Sequence, residues 1–156
     1  MELTDLVQAI QTLNAEDAFR PRFDAQQWRT LGSYMTRHDL RAGDMLIRQG
    51  DHDRTVYFLA QGSLQVFVAG GTPGAAGRIA ILRAGSVCGE PGLFADAPRM
   101  ANVEAMTPVV VWALRLPRFQ ELAIRVPAVA LELTLAAGAV MAARMRANLS
   151  RQVPTA

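Results

Sequence analysis

The stretch Arg41 to Leu64, RAGDMLIRQGDHDRTVYFLAQGSL, sets short apolar runs between glycines at 43, 50 and 62. MLI (45–47) and VYFLA (56–60) are too short for helices and are bounded by Gly and Asp, so they read as strands. SLQVFV (63–68), RIAIL (78–82), SVC (86–88), MANVEA (100–105) and VVVWAL (109–114) continue the pattern. Several short strands separated by turn signals predict an antiparallel sandwich or barrel. In SLQVFV, Leu64, Val66 and Val68 share one face and Gln65 and Phe67 the other. The segment Ala69 to Gly77, AGGTPGAAG, reads as a flexible hairpin tip.

Both flanks of this region read as helical. Leu3, Leu6, Val7, Ile10 and Leu13 recur at helical spacing behind Thr4, a candidate N-cap. Asp24 and Gln27 form a capping-box start for a second helix carrying Trp28, Leu31 and Met35. After the strands, Pro117 suits a first helical position, with Phe119 and Leu122 turned inward, and Pro127 opens a long run to about Arg151. Along that run Leu131, Leu135, Gly138, Ala142, Met145 and Leu149 follow heptad spacing. Beside them lies a second stripe, Val129, Leu133, Ala136, Val140 and Ala143. Two apolar stripes need two surfaces, one on the sheet domain and one on a partner helix, most simply from a second copy of the chain. The alternative is a helix buried on all sides within one core.

With 156 residues, 51% hydrophobic and 19% charged, the chain suits one globular domain that needs no disulfide or metal staple. All 16 basic residues are Arg, and the net charge of +2 is too small to argue for nucleic-acid binding. Cys88 is the single cysteine, which excludes an intramolecular disulfide. The amphipathic, acid-bearing start is unlike a secretion signal, and the longest uncharged part of the C-terminal run, Leu133 to Ala143, is short of the ~20 residues of a membrane span. A soluble, cytoplasmic protein without a membrane span is expected.

One loop carries distinctive chemistry. Val87 to Val103, VCGEPGLFADAPRMANV, places Glu90 and Arg99 at the two ends of a Gly- and Pro-punctuated stretch. Gly89 permits close backbone approach, and Pro91 suits the first position of a short helix, whose following N–H groups could face an anion. Arg99 would supply a fixed positive charge. The plain alternative is a surface ion pair between Glu90 and Arg99 with no ligand, contributing ~0–1 kcal/mol.

The chain resembles the cyclic nucleotide-binding domain of bacterial catabolite activator proteins, of the regulatory subunit of cAMP-dependent protein kinase and of cyclic-nucleotide-gated channels. Two motifs carry the resemblance: Arg41 to Asp51 followed by Val56 to Leu64, similar to the family's glycine-turn signature, and residues 87–103, similar to its phosphate-binding cassette. Glycines 43, 50, 62, 85 and 89 fall where the family's turns fall. The resemblance implies a mainly β fold: an antiparallel, eight-stranded, jelly-roll-like β-roll (double-stranded β-helix) over 38–116, N-terminal helices over 1–37, and a short and a long C-terminal helix over 117–152, all one domain. It implies a ligand site at Gly89, Glu90, Pro91, Gly92, Arg99, Met100 and Ala101, with Glu90 taking the ribose 2′-hydroxyl and Arg99 taking the phosphate; from their opposite charges the two are expected to pair when the site is empty. Pro91 replaces a usual aliphatic residue. Met100 stands where other members carry Ser or Thr and removes a hydroxyl contact, which points to cAMP rather than cGMP. The long helix covers the base in the family, so Met141, Arg144 and Met145 are base-contact candidates by position, with helix packing or dimer contact as their alternative.

Catalysis and a metal site are not expected. His38 and His52 stand apart beside Asp residues and read as solvated loop histidines, and Cys88 reads as a buried structural thiol. The expected function is a cyclic nucleotide sensor acting through its C-terminal helix, as a homodimer through the heptad residues, on an unknown protein effector. No recognition helix precedes the end at SRQVPTA (150–156), so direct DNA binding is not expected. The alternatives are a ligand-free dimerisation or scaffold module, or a fragment of a larger regulator.

Overall fold

The computed structural model describes residues 2–68 and 78–152, so the hairpin tip at 69–77 lies outside the described residues. Helices α1 (Glu2–Thr12) and α2 (Ala25–Gly32) precede strands β1 (Thr36–Leu40), β2 (Met45–Ile47), β3 (Val56–Gln61), β4 (Leu64–Phe67), β5 (Arg78–Leu82) and β6 (Val87–Cys88). Helix α3 (Pro91–Phe94), β7 (Asn102–Ala105), β8 (Val109–Leu114), α4 (Leu116–Arg125) and α5 (Pro127–Gln152) follow. The strands form two four-stranded sheets, ordered β1-β8-β3-β6 and β2-β7-β4-β5, with every pairing antiparallel. This is the β-roll with flanking helices and a long C-terminal helix that the sequence predicts.

β3 explains why its run is continuously apolar instead of alternating. Val56, Phe58 and Ala60 face a core shared with the helices, which contains Leu6, Phe19, Leu31, Leu122 and Leu133. Leu59 and, partly, Tyr57 face the second core between the sheets, with Ile47, Leu64, Val103 and Val111. A strand covered on both sides leaves no polar face to expose.

Three local expectations need correction. α1 begins at Glu2, so Thr4 lies inside the helix and does not cap it. β1, TRHDL, has no sequence signal because all its residues but Leu40 are polar and lack alternation; as an edge strand it is held by its backbone ladder to β8, from Thr36–Ala113 to Leu40–Val109. His38 therefore sits in an exposed edge strand, not a loop. The Asp24 capping box is present: Asp24 Oδ1 accepts from Gln27 N at 2.8 Å, and Gln27 Oε1 accepts from Asp24 N at 2.9 Å.

The two stripes of α5 separate cleanly. Val129, Leu133, Ala136 and Val140 are buried in the helix-side core. Leu131, Leu135, Met145 and Leu149 on the heptad stripe are 54–61% exposed. By length and composition the stretch Pro127–Ser150, with mean hydropathy 1.5, could cross a membrane, yet a third of it is buried inside this fold. One buried and one exposed stripe describe a helix docked on its own domain along one side.

Candidate functional site

The five glycines at the predicted turns, 43, 50, 62, 85 and 89, all have positive φ, from +77° to +97°. Gly89 has the tightest consequence for the site. A Cβ there would lie 2.7 Å from Thr55 O and 3.0 Å from Arg99 Nη1, so only glycine lets the chain turn from β6 into α3 against the Arg99 guanidinium.

Arg99 is 8% exposed and held from every side. Its backbone N–H donates to Asp51 O at 2.7 Å and its carbonyl accepts from Gly50 N at 2.8 Å. In its side chain, Nη1 donates to Gly89 O at 3.0 Å and Nη2 to Thr55 O at 2.6 Å, with Asp53 Oδ2 at 3.4 Å. Nε is buried and has no hydrogen-bond partner among the described residues. Asp53 is in turn fixed by the Thr55 hydroxyl at 2.8 Å. Partial burial pushes the Asp53 carboxyl up, but the Thr55 hydrogen bonds and the Arg99 charge outweigh it and hold the group below its ordinary range.

Glu90 is 3% exposed and does not pair with Arg99. Its partner is Arg144 of α5, whose Nη1 donates to both Glu90 oxygens at 3.0 Å. The expectation of a Glu90–Arg99 pair in the empty site is corrected accordingly. Arg99 is spent on two backbone carbonyls and Asp53, and α5 delivers a second guanidinium that local sequence could not place beside Glu90. Burial lowers the Arg144 pKa, but the Glu90 charge and the Asp17 hydrogen bond and charge together raise it above its ordinary value. Cys88, fully buried, has its thiol pushed up to about 12 by burial and then by Glu90, which makes it an inert packing thiol.

The expected anion-facing amides behave differently from the prediction. Pro91 does occupy the first turn of α3, but Gly92 N donates to Gly89 O at 3.2 Å and Leu93 N to Glu90 O at 3.0 Å. The first-turn amides of this four-residue helix are thus turned onto the carbonyls just before it, while the Arg99 side chain keeps an unpartnered Nε among the described residues. Arg54, which sequence reading missed, braces the far side of α3 by donating from Nε to Gly92 O at 2.7 Å.

These groups open onto one cavity of about 420 Å³, within the ~300–1,000 Å³ usual for small-molecule sites. Gly89, Glu90, Pro91, Gly92, Arg99, Met100 and Ala101 all line it, so the structure brings the predicted cassette residues together. Val66, Ile79, Ala80 and Leu82 of β4 and β5 supply an apolar floor. Met100 is at the rim, 74% exposed. Of the three base-contact candidates, Arg144 lines the cavity while Met141 and Met145 do not; α5 contributes Ala143, Ala147 and Asn148 instead. Asp53, Thr55 and Asp17 had no local signal, because each reaches the site through a contact more than 40 positions distant in sequence.

A two-sheet β-roll with a buried arginine and a buried carboxylate on one cavity is the arrangement in hand, and residues 37–125 match the family model described as the cyclic nucleotide-binding domain. The chain belongs to that family. It is 36% identical over 80 residues to the cGMP-dependent protein kinase egl-4 of Caenorhabditis briggsae, covering 51% of this chain and 10% of the kinase. It is 34% identical over 91 residues to the cAMP-dependent protein kinase regulatory subunit of Blastocladiella emersonii, covering 58% of this chain and 22% of that protein. The chain thus spans between a tenth and about a fifth of the length of these curated relatives. In fold it is similar to a cyclic nucleotide-binding domain from Methylobacillus flagellatus KT, with a TM-score of 0.79 and 20% identity, covering 96% of this chain and 81% of that one.

Proposed function

We propose that the chain binds a 3′,5′-cyclic mononucleotide, cAMP in preference to cGMP, and signals through α5. The observation that carries this reading is a pair of buried opposite charges lining one cavity: the Arg99 guanidinium, whose Nε has no partner among the described residues, and the carboxylate Glu90. A buried cationic donor without an acceptor is costly unless a ligand supplies one, and a cyclic phosphate does so. In this reading Glu90 accepts from the ribose 2′-hydroxyl and the base lies on Val66, Ile79 and Leu82 beneath α5. Met100 provides no hydroxyl to the phosphate, where other members carry Ser or Thr, and this favours the adenine nucleotide. Both a cGMP- and a cAMP-dependent kinase protein are among the relatives, so the preference rests on Met100.

Output would pass to the exposed stripe of α5. A Cβ at Gly138, within that stripe, would lie 3.8 Å from the Phe94 ring of α3, so the cassette touches the helix where a second copy would dock. A change at α3 then alters the pairing surface, provided the ligand binds the two arrangements with different affinity. The effector is a protein reached through α5.

One observation favours the second reading, a ligand-free dimerisation module: Arg144 already neutralises Glu90. Calorimetric titration with cAMP, cGMP and 5′-AMP separates the two. The sensor reading expects saturable heat with cAMP, weaker binding of cGMP and none of 5′-AMP; no heat with any of them leaves the scaffold reading.

A further inference from the structure

The Arg144 guanidinium joins three parts of the chain at one point. It leaves α5 with Nη1 on Glu90, Nη2 donating to Val87 O at 2.8 Å, and Nε donating to Asp17 Oδ2 at 2.9 Å. Each of its three nitrogens therefore has a separate partner. Asp17 lies between α1 and α2, lines the cavity, and is 127 positions from Arg144. The side-chain exposures fall from Asp17 (36%) through Arg144 (26%) to Glu90 (4%), so the network runs from the N-terminal segment down to the buried acid.

This division of the fork matters for Glu90. A carboxylate offers about four lone-pair sites, and a single nitrogen shared between its oxygens leaves the rest for a hydroxyl. An Arg free to turn about Cδ–Nε would instead meet Glu90 side-on with Nε and one Nη, the bidentate arrangement that occupies both oxygens most fully. Asp17 holds Nε away from Glu90 and so prevents it.

We propose that Asp17 is a positioning residue of the ligand site: by anchoring Arg144 Nε it keeps Glu90 open to the ribose 2′-hydroxyl and couples the N-terminal segment to occupancy. This rests on the cyclic nucleotide reading above. It assigns a role in ligand binding to a segment outside both the β-roll and the cassette, and it makes the segment between α1 and α2 sensitive to whether the ribose is bound.

The test compares cAMP with 2′-deoxy-cAMP, which lacks the hydroxyl, on the full chain. Asp17→Ala is expected to weaken cAMP binding roughly three- to tenfold while leaving 2′-deoxy-cAMP within about twofold of wild type. Asp17→Asn, which keeps an acceptor for Nε, is expected to fall between the two and guards against a folding defect in the alanine variant. Unchanged cAMP binding by Asp17→Ala, or an equal loss for both nucleotides, overturns the inference alone. A wild-type chain that binds neither nucleotide overturns the sensor reading and this inference with it.

Discussion

Replacing Arg99 by Met removes the guanidinium but keeps an aliphatic stem of similar reach, and it separates two roles the residue combines. In the unliganded protein the change deletes the bonds to Gly89 O and Thr55 O. At about 1 kcal/mol net each, and with part of that returned by no longer burying a charge, the expected loss of unfolding free energy is ~1–2 kcal/mol. The contact with Asp53 adds little, because it is 3.4 Å long and the Asp53 side chain is 46% exposed. For a domain of this size that is a fall in Tm of about 2–8 °C. The ligand role is larger in proportion. One charge-assisted hydrogen bond to phosphate is worth ~1.5–3 kcal/mol, so Kd for cAMP should rise about 10- to 150-fold. Urea unfolding without ligand reads the first quantity and calorimetry at a temperature well below Tm reads the second. A destabilised variant that binds cAMP with unchanged Kd would show Arg99 to be only a brace between β3 and the cassette, and the site assignment would fall.

Gly89→Ala forces a β-carbon into positive φ and against Thr55 O, so it is expected to lower stability by ~1–3 kcal/mol and to reduce cAMP affinity at least about tenfold by displacing Arg99; intact binding by calorimetry counts against Gly89 as the cradle of the guanidinium. Asp53 has a folded pKa below 3.8, so its contribution is present above the unfolded value and is lost as pH falls through that value toward the folded one. Asp53→Asn should therefore be less stable than wild type at pH 7, by under ~1 kcal/mol, with the gap closing below about pH 4 in urea titrations; a gap that persists in acid contradicts the assignment. Leu135, 61% exposed on the heptad stripe, should tolerate Glu within about 0.5 kcal/mol of monomer stability while shifting sedimentation from dimer to monomer, and an unchanged sedimentation profile removes the pairing surface.

The strands carrying apolar runs were legible because turns and burial both leave local marks. β3 could be read as VYFLA since both its faces are covered, and the glycine positions could be read because positive φ admits little else. β1 was not legible. Its residues TRHDL are those of an exposed edge, and its existence depends on β8, about 70 positions later. The cassette was visible as a Glu and an Arg framed by Gly and Pro, yet its electrostatics were misjudged for the same reason β1 was missed.

Periodicity and turn chemistry are local properties, and they were enough for an antiparallel β fold, the helical flanks and the heptad stripe of α5, while the motifs' resemblance to a family implied the β-roll and the cassette residues that line the cavity. Which charges meet was settled only by the folded arrangement. Arg99 goes to Thr55, Gly89 and Asp53, with Nε unpartnered among the described residues, and Glu90 goes to Arg144 and through it to Asp17. Charge pairing depends on distance in space and on which partners are desolvated together, and no spacing along the chain encodes a contact between positions 17, 90 and 144.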